Sequence, residues 1–158
     1  NLTSTQSPTF AGTKTGCSVV GSELRITTTT SPPSSAEYIF TSYIDTGAVR
    51  RVRSRVDMNV NRYDANTGLW DAIPGLWDSI PGLWDDWTGG TQFADTDVVT
   101  YISFTSQDPA GTPTWSEYQP FKAGDFYGRA FRFKIELLSQ TTGVSPSISG
   151  LTARVQYN

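Results

Sequence analysis

Apolar and polar residues alternate with a period of two over most of the chain. In residues 128–139 (GRAFRFKIELLS), Phe131, Phe133, Ile135 and Leu137 fall on one side and Arg132, Lys134 and Glu136 on the other. Such alternation marks a strand with one dry and one wet face. Residues 51–61 repeat it, with Val52, Val56, Met58 and Val60 set against Arg51, Arg53, Arg55, Asp57, Asn59 and Asn61. In residues 95–106, Val98, Ile102 and Phe104 share one face and Val99 and Tyr101 the other. Near the C-terminus, Leu151, Ala153, Val155 and Tyr157 align. Residues 16–28 (GCSVVGSELRITT) read as a hairpin turning at Gly21 and Ser22. Residues 37–44 predict a strand with Tyr38, Phe40 and Ile44 on one face, and residues 45–48 (DTGA) the turn after it. The consecutive prolines of residues 27–36 predict a loop. Residues 107–121 read as a turn and a short aromatic strand.

About eight strands separated by Gly, Pro and Ser turns, with no amphipathic helix, predict an all-β fold of two packed antiparallel sheets. Residues 1–15, rich in Thr, Ser and Gly, are expected to form a leader arm. Residues 16–158 form the β-sandwich domain, interrupted by an insert at 66–92.

That insert departs from the alternation. Residues 68–87 (GLWDAIPGLWDSIPGLWDDW) repeat GLWD three times at intervals of seven and hold four of the five tryptophans. Leu69, Ile73, Leu76, Ile80, Leu83 and Trp87 keep heptad spacing, but Pro74–Gly75 and Pro81–Gly82 break it. Proline inside a helix costs about 3 kcal/mol and glycine about 1. IPGL is instead suited to a type II turn, so a turn-rich spiral is expected. Each tryptophan can bury roughly 150–250 Å², and the combined patch exceeds what a soluble monomer leaves exposed. Leu69, Trp70, Leu76, Trp77, Leu83, Trp84 and Trp87 are therefore candidates for packing on their own domain, for contact with sister chains, or for stacking on a ligand such as a sugar. Asp71, Asp78 and Asp85, each following a tryptophan, suit capping of the local turns.

Composition narrows the chemistry. The 158 residues carry a net charge of -3 and 17% charged residues, so no strong attraction to nucleic acid is expected. No apolar run approaches the ~20 residues that span a bilayer. The chain opens at Asn1 without Met or a signal-like segment, and we expect a piece of a longer polypeptide or a processed product. There is no histidine, which excludes Ser-His-Asp and Cys-His catalysis and His-liganded zinc. Cys17 stands alone, so no disulfide forms within the chain, and it reads as a small buried strand residue. Asp85, Asp86, Asp95 and Asp97 cluster near glycines and are weak calcium candidates without EF-hand spacing, with solvated carboxylates the plainer reading. The two-carboxylate signature of a glycosidase does not stand out from the acidic residues present. No cofactor is implied.

Three segments in order resemble galactose-binding-like (discoidin-type) jelly rolls: EYIFTSYIDTGAVRRVR (37–53), YISFTSQDPAGTPTWSEYQPF (101–121) and GRAFRFKIEL (128–137). The likeness covers roughly residues 16–157 and implies a jelly-roll sandwich. More narrowly, GTKTGCSVVGSELRI, the LWD-x-IP block ending in DDW, and the later two segments resemble C-terminal domains of siphophage tail-tip proteins, the host-specificity or central tail-fibre proteins. Members carry a comparable block in which isoleucine stands where this chain has tryptophan, and this chain has an extra copy. The resemblance implies a non-enzymatic role in fibre structure and host-receptor contact, in the extracellular virion. It also implies a homotrimer within a longer parent chain, touching other tail-tip proteins and a bacterial surface glycan or protein receptor. A carbohydrate-binding module of a secreted enzyme is the alternative.

Trp115 matches the family's strand tryptophan, which implies core packing. Trp115 and Tyr118 are also secondary ligand-stacking candidates. The resemblance further implies that an arginine of the 128–137 strand, Arg129 or Arg132, pairs with an acid of a neighbouring strand. The Arg51, Arg53, Arg55 face reads as solvated sheet surface, with a subunit contact as the alternative.

Overall fold

A computed structural model describes residues 1–64 and 96–158. Every regular element among them is a strand: β1 (Leu2–Thr5), β2 (Thr13–Thr15), β3 (Cys17–Val20), β4 (Glu23–Ile26), β5 (Ser34–Ile39), β6 (Ile44–Asp64), β7 (Thr96–Thr105), β8 (Gln119–Pro120), β9 (Ala123–Ser139) and β10 (Val144–Gln156). All pairings are antiparallel. They form one hydrogen-bonded path in the order β2-β5-β9-β6-β10-β4-β3, with β1 added to β10, and with β7 and then β8 added to β9. The fold is therefore all-β, with ten strands where about eight are predicted.

The two ends of that path, β2 and β3, are consecutive in sequence and meet at Gly16. Residues 13–15 pair with β5, and residues 17–20 pair with β4. Gly16 makes the transfer at φ +73°, in the left-handed region, and a Cβ there would lie 3.3 Å from the Ser35 carbonyl oxygen. Only glycine takes this geometry without strain. The sheet thus curls until it nearly closes on itself.

The apolar stripes meet inside. Phe131, Phe133, Ile135 and Leu137 of β9 are fully buried, as their alternation predicts, together with Leu151, Ala153 and Val155 of β10 and Ile102 of β7. Tyr38, Phe40 and Ile44 also join the core. The β3–β4 hairpin turns where expected, with Gly21 and Ser22 both at positive φ (58° and 65°), the combination a two-residue type I′ turn requires.

The structure corrects two element assignments. Residues 37–44 are not one strand ended by a DTGA turn. β5 starts at Ser34, just past the prolines that cannot donate to a ladder, and stops at Ile39. β6 then continues along the same edge of β9. Ile44 and Asp45 pair with Phe131 and Ala130, and Arg50 pairs with Gly128, so residues 46–49 bulge out opposite Arg129. Gly47 at φ +81° accepts the bend, and its N–H donates to Asp45 Oδ1 at 2.8 Å. DTGA therefore kinks the chain without reversing it. The dry face of β6 also fades: Val52 is buried, Val56 and Met58 are half-buried, and Val60 is exposed, because β6 beyond Arg55 pairs with β10 alone among the described strands.

Residues 1–15, expected as a leader arm, are paired to the same sheet through β1 and β2, and Phe10 is fully buried. The link is a polar network: Tyr38 Oη donates to Gln6 Oε1 (2.7 Å), which also accepts from the Thr41 N–H (3.1 Å) and hydroxyl (2.8 Å), while the Gly12 N–H donates to Tyr38 Oη (3.0 Å). Cys17 is buried in β3, as its reading predicts, with its thiol 3.2 Å from the Glu37 carbonyl.

Candidate functional site

The outward face of β9 carries Arg132 and Lys134 because Phe131, Phe133 and Ile135 take the inward positions. β7 pairs with β9 so that Ser103 lies opposite Arg132 and Tyr101 opposite Lys134. The chain then leaves β7, turns through residues 107–114, and returns along its far edge. Ser116 fastens this return: its N–H donates to the Phe104 carbonyl (2.9 Å), and its hydroxyl accepts from the Phe104 N–H (3.0 Å). Further on, the Phe121 N–H donates to the Thr100 carbonyl at 2.9 Å, and the Thr100 hydroxyl donates to the Phe121 carbonyl.

This return brings Trp115 and Tyr118 over the outward face. The Arg132 guanidinium lies 4.6 Å from the Trp115 ring centroid and 4.9 Å from that of Tyr118. Lys134 Nζ lies 4.9 Å from Tyr118 and 4.7 Å from Tyr101. Aromatic rings and cations thus interleave along the shelf, each contact contributing about 0.5–2 kcal/mol according to its desolvation. Burial pushes the Tyr118 phenol upward, against a smaller opposing pull from Arg132. Burial also raises Tyr101, reinforced by the nearby Glu136 and Glu37 carboxylates.

Ser103 aims the arginine. It is fully buried, donates to the Ser116 carbonyl (2.7 Å) and accepts from Arg132 Nε (3.1 Å). The neighbouring cations of β9 have acidic partners: Lys134 sits 3.5 Å from Glu37, and Arg129 sits 3.1 Å from Asp45 and 3.4 Å from Asp108. Arg129 therefore shows the strand-to-acid pairing that the resemblance implies. Its hydrogen bonds to Asp45 hold that carboxyl below its usual range. Among the described residues no carboxylate lies within ion-pair distance of Arg132.

Between residues 39–43 and 109–118 the shelf opens into a cleft of ≈ 280 Å³ whose lining includes Thr41, Ser42, Tyr43, Trp115, Tyr118 and Arg132. The Tyr43 and Trp115 centroids are 6.1 Å apart and tilted at 45°. Tyr43 is 42% exposed, enough to present a ring face to a ligand.

The expectation that Trp115 packs in the core is corrected. Trp115 is half-buried on the outside and is absent from the buried cluster, to which Phe121 on the same return segment does pack. The reason is local: residues 112–118 form no strand, so no alternation directs Trp115 inward. Trp115 and Tyr118 are brought together, as ligand-stacking candidates must be. Tyr43 and Arg132 complete the site. Alternation alone already turns Arg132 outward, but nothing in the sequence places it beneath Trp115.

Leu69, Trp70, Leu76, Trp77, Leu83, Trp84 and Trp87 lie outside the described residues, as do Asp85, Asp86 and Asp95. Asp97 is exposed and its Oδ1 accepts from the Val98 N–H at 2.8 Å. Among the described residues no three acidic or cysteine side chains converge as metal ligands. Arg51, Arg53 and Arg55 are exposed, and Arg51 pairs with Asp125 at 2.6 Å. No family model, curated relative or solved structure matches this chain.

Proposed function

We propose that the chain is a non-enzymatic domain of a siphophage tail tip or central tail fibre, serving fibre structure and host-receptor contact at the extracellular end of the virion. On this reading the curled sheet is a two-sheet jelly roll, and the parent chain is a homotrimer. The ordered resemblance over residues 37–53, 101–121 and 128–137 supports the family, and the all-β fold agrees with it. One observation carries the contact role. Trp115, the tryptophan expected in the core, is turned outward and stacked on Arg132 beside Tyr43. Half-exposed aromatics around a fixed arginine are the residue types that dominate recognition surfaces.

Immunogold labelling tests the reading directly. Antibody to this domain is expected to decorate the tail tip of particles encoding it, and the soluble domain to slow their adsorption to cells. Label anywhere else on the particle, or none, overturns it. The same cleft also favours the second reading, a carbohydrate-binding module of a secreted enzyme. That reading is selected if the domain is found in a secreted enzyme and not on particles.

A further inference from the structure

We propose that the Arg132 cleft binds a pyranose sugar that bears a carboxylate, such as a hexuronic acid, with its ring against Trp115 and Tyr43 and its carboxylate on Arg132. The inference gives the ligand class for the receptor contact proposed above and rests on that reading for its biological role. Its chemistry rests on the cleft alone.

Three features converge on this ligand. First, the cleft has both surfaces a sugar needs. The C–H face of a pyranose is apolar and weakly positive and suits the negative face of an aromatic ring, supplied by Trp115 and Tyr43. Thr41 and Ser42 also line the cleft; the Thr41 hydroxyl donates to Gln6 and keeps its acceptor lone pairs for a sugar hydroxyl. A volume of ≈ 280 Å³ lies near the lower end of small-molecule sites, roughly 300–1,000 Å³, and suits one ring better than an extended chain.

Second, Arg132 is a cation held in place with no carboxylate within ion-pair distance among the described residues. Arg129 and Lys134 on the same strand each have an acid within 4 Å, whereas Arg132 has none among the described residues. Ser103 uses the Nε–H. The paired Nη groups are the edge that grips a carboxylate with two parallel hydrogen bonds.

Third, the arginine is preorganised. Two rings cover it, and the buried Ser103, itself bonded to the Ser116 carbonyl, fixes its direction. Partial desolvation by these rings strengthens attraction to an anion, and a fixed side chain loses little freedom on binding.

The test is an NMR titration of the intact 158-residue chain with disaccharides ending in glucuronate or galacturonate, beside their neutral glucose and galactose counterparts. The acidic sugars are expected to bind about tenfold or more tightly at low salt, to lose that advantage as salt rises, and to shift the Trp115 indole and Arg132 Nε signals. Arg132→Gln is expected to abolish the preference while leaving weak neutral binding, and Arg132→Lys to retain only part of it. Trp115→Ala is expected to abolish binding of both classes and Trp115→Phe to weaken it. Arg154→Gln on β10, away from the cleft, is expected to change nothing. The proposal is overturned if no sugar shifts the Trp115 signal, if acidic and neutral sugars bind alike, or if the preference survives Arg132→Gln in a folded protein. A tail tip that labels while the cleft stays silent overturns this inference and leaves the tail-tip reading standing. A cleft that binds acidic sugars on a chain absent from particles does the reverse.

Discussion

Single residues stabilise this fold where polar atoms are buried. Tyr38 is fully buried, and its hydroxyl joins Gln6 to Gly12. Tyr38→Phe removes that oxygen and leaves the Gly12 N–H without its acceptor. That donor is part-buried, and losing such a hydrogen bond costs about 0.5–1.5 kcal/mol, so the free energy of unfolding in urea should fall by that amount; an unchanged midpoint would show that water replaces the hydroxyl. Burial pushes the Cys17 thiol up, since a thiolate is disfavoured away from water. Disulfide-exchange labelling at mild alkaline pH is expected to be about tenfold or more slower on the native protein than in urea. Equal rates would contradict the burial. Asp45 titrates with the opposite sign. Arg129 lowers its folded pKa, so the stabilisation is complete above the unfolded value and disappears as pH falls through the folded one. Glu23, lowered by Arg25 and Ser147, acts in the same direction. Unfolding followed from about pH 5 to pH 2 should therefore show a shallower loss of stability in Asp45→Asn than in the wild type. Parallel profiles would remove Asp45 from the acid response.

At the scale of elements, the alternating strands were legible because burial of one face imposes a period of two on the sequence itself. Residues 131–139 of β9 and 151–156 of β10 keep it, whereas residues 144–148 of β10 are all buried, and the type I′ turn at Gly21 and Ser22 carries its own local signal. Where the signal is short or shared, the sequence is ambiguous. DTGA suits a reversing turn and a bulge equally well, and pairing with β9 on both sides decides for the bulge. Gly16 is a similar case. The sequence reads it as the start of a hairpin after a leader arm, yet it passes the chain from pairing with β5 to pairing with β4. Gly16→Ala places a Cβ at positive φ and against the Ser35 carbonyl, so a loss of about 1–2 kcal/mol is expected. Gly47→Ala, where the added Cβ meets nothing within 4 Å, should lose less. Equal effects in thermal or urea unfolding would mean that backbone conformation alone, without the contact to Ser35, sets the cost.

At the scale of the whole molecule, the strands on either side of residues 65–95 meet the same end of the sheet. Asp64, at the end of β6, pairs with Val144, and Thr96, at the start of β7, pairs with Ser139. Ser139 and Val144 flank the short connection between β9 and β10, so both flanks of the insert lie at one end of the fold. The buried cluster is assembled from residues on either side of it. Replacing residues 66–92 by a short Gly/Ser linker is therefore expected to leave the far-ultraviolet circular dichroism strand signal intact and the melting temperature within a few degrees, since a closed loop costs little per added residue. Collapse of the fold would show that the tryptophan block completes the core. Light scattering on the same pair of proteins separates packing on the domain from contact between sister chains: loss of a trimer with retention of the fold assigns the block to assembly.

The sequence by itself determined that this protein is built of strands, which side of β9 and β10 faces inward, and where the first hairpin turns. Those properties depend on neighbours one, two or three residues apart, and local sterics with one-sided burial write them directly into the chain. Only the tertiary structure decided that β7 lies beside β9, that β5 and β6 share one edge, and that residues 1–15 complete the sheet. It also decided that Trp115 comes to rest outside the core on Arg132. These depend on pairings between residues far apart in sequence, selected by which strand edges are free and which faces must be covered. The candidate site belongs to this second class: its side chains come from residues 39–43, from the return segment at 113–118 and from β9, and no local pattern joins them.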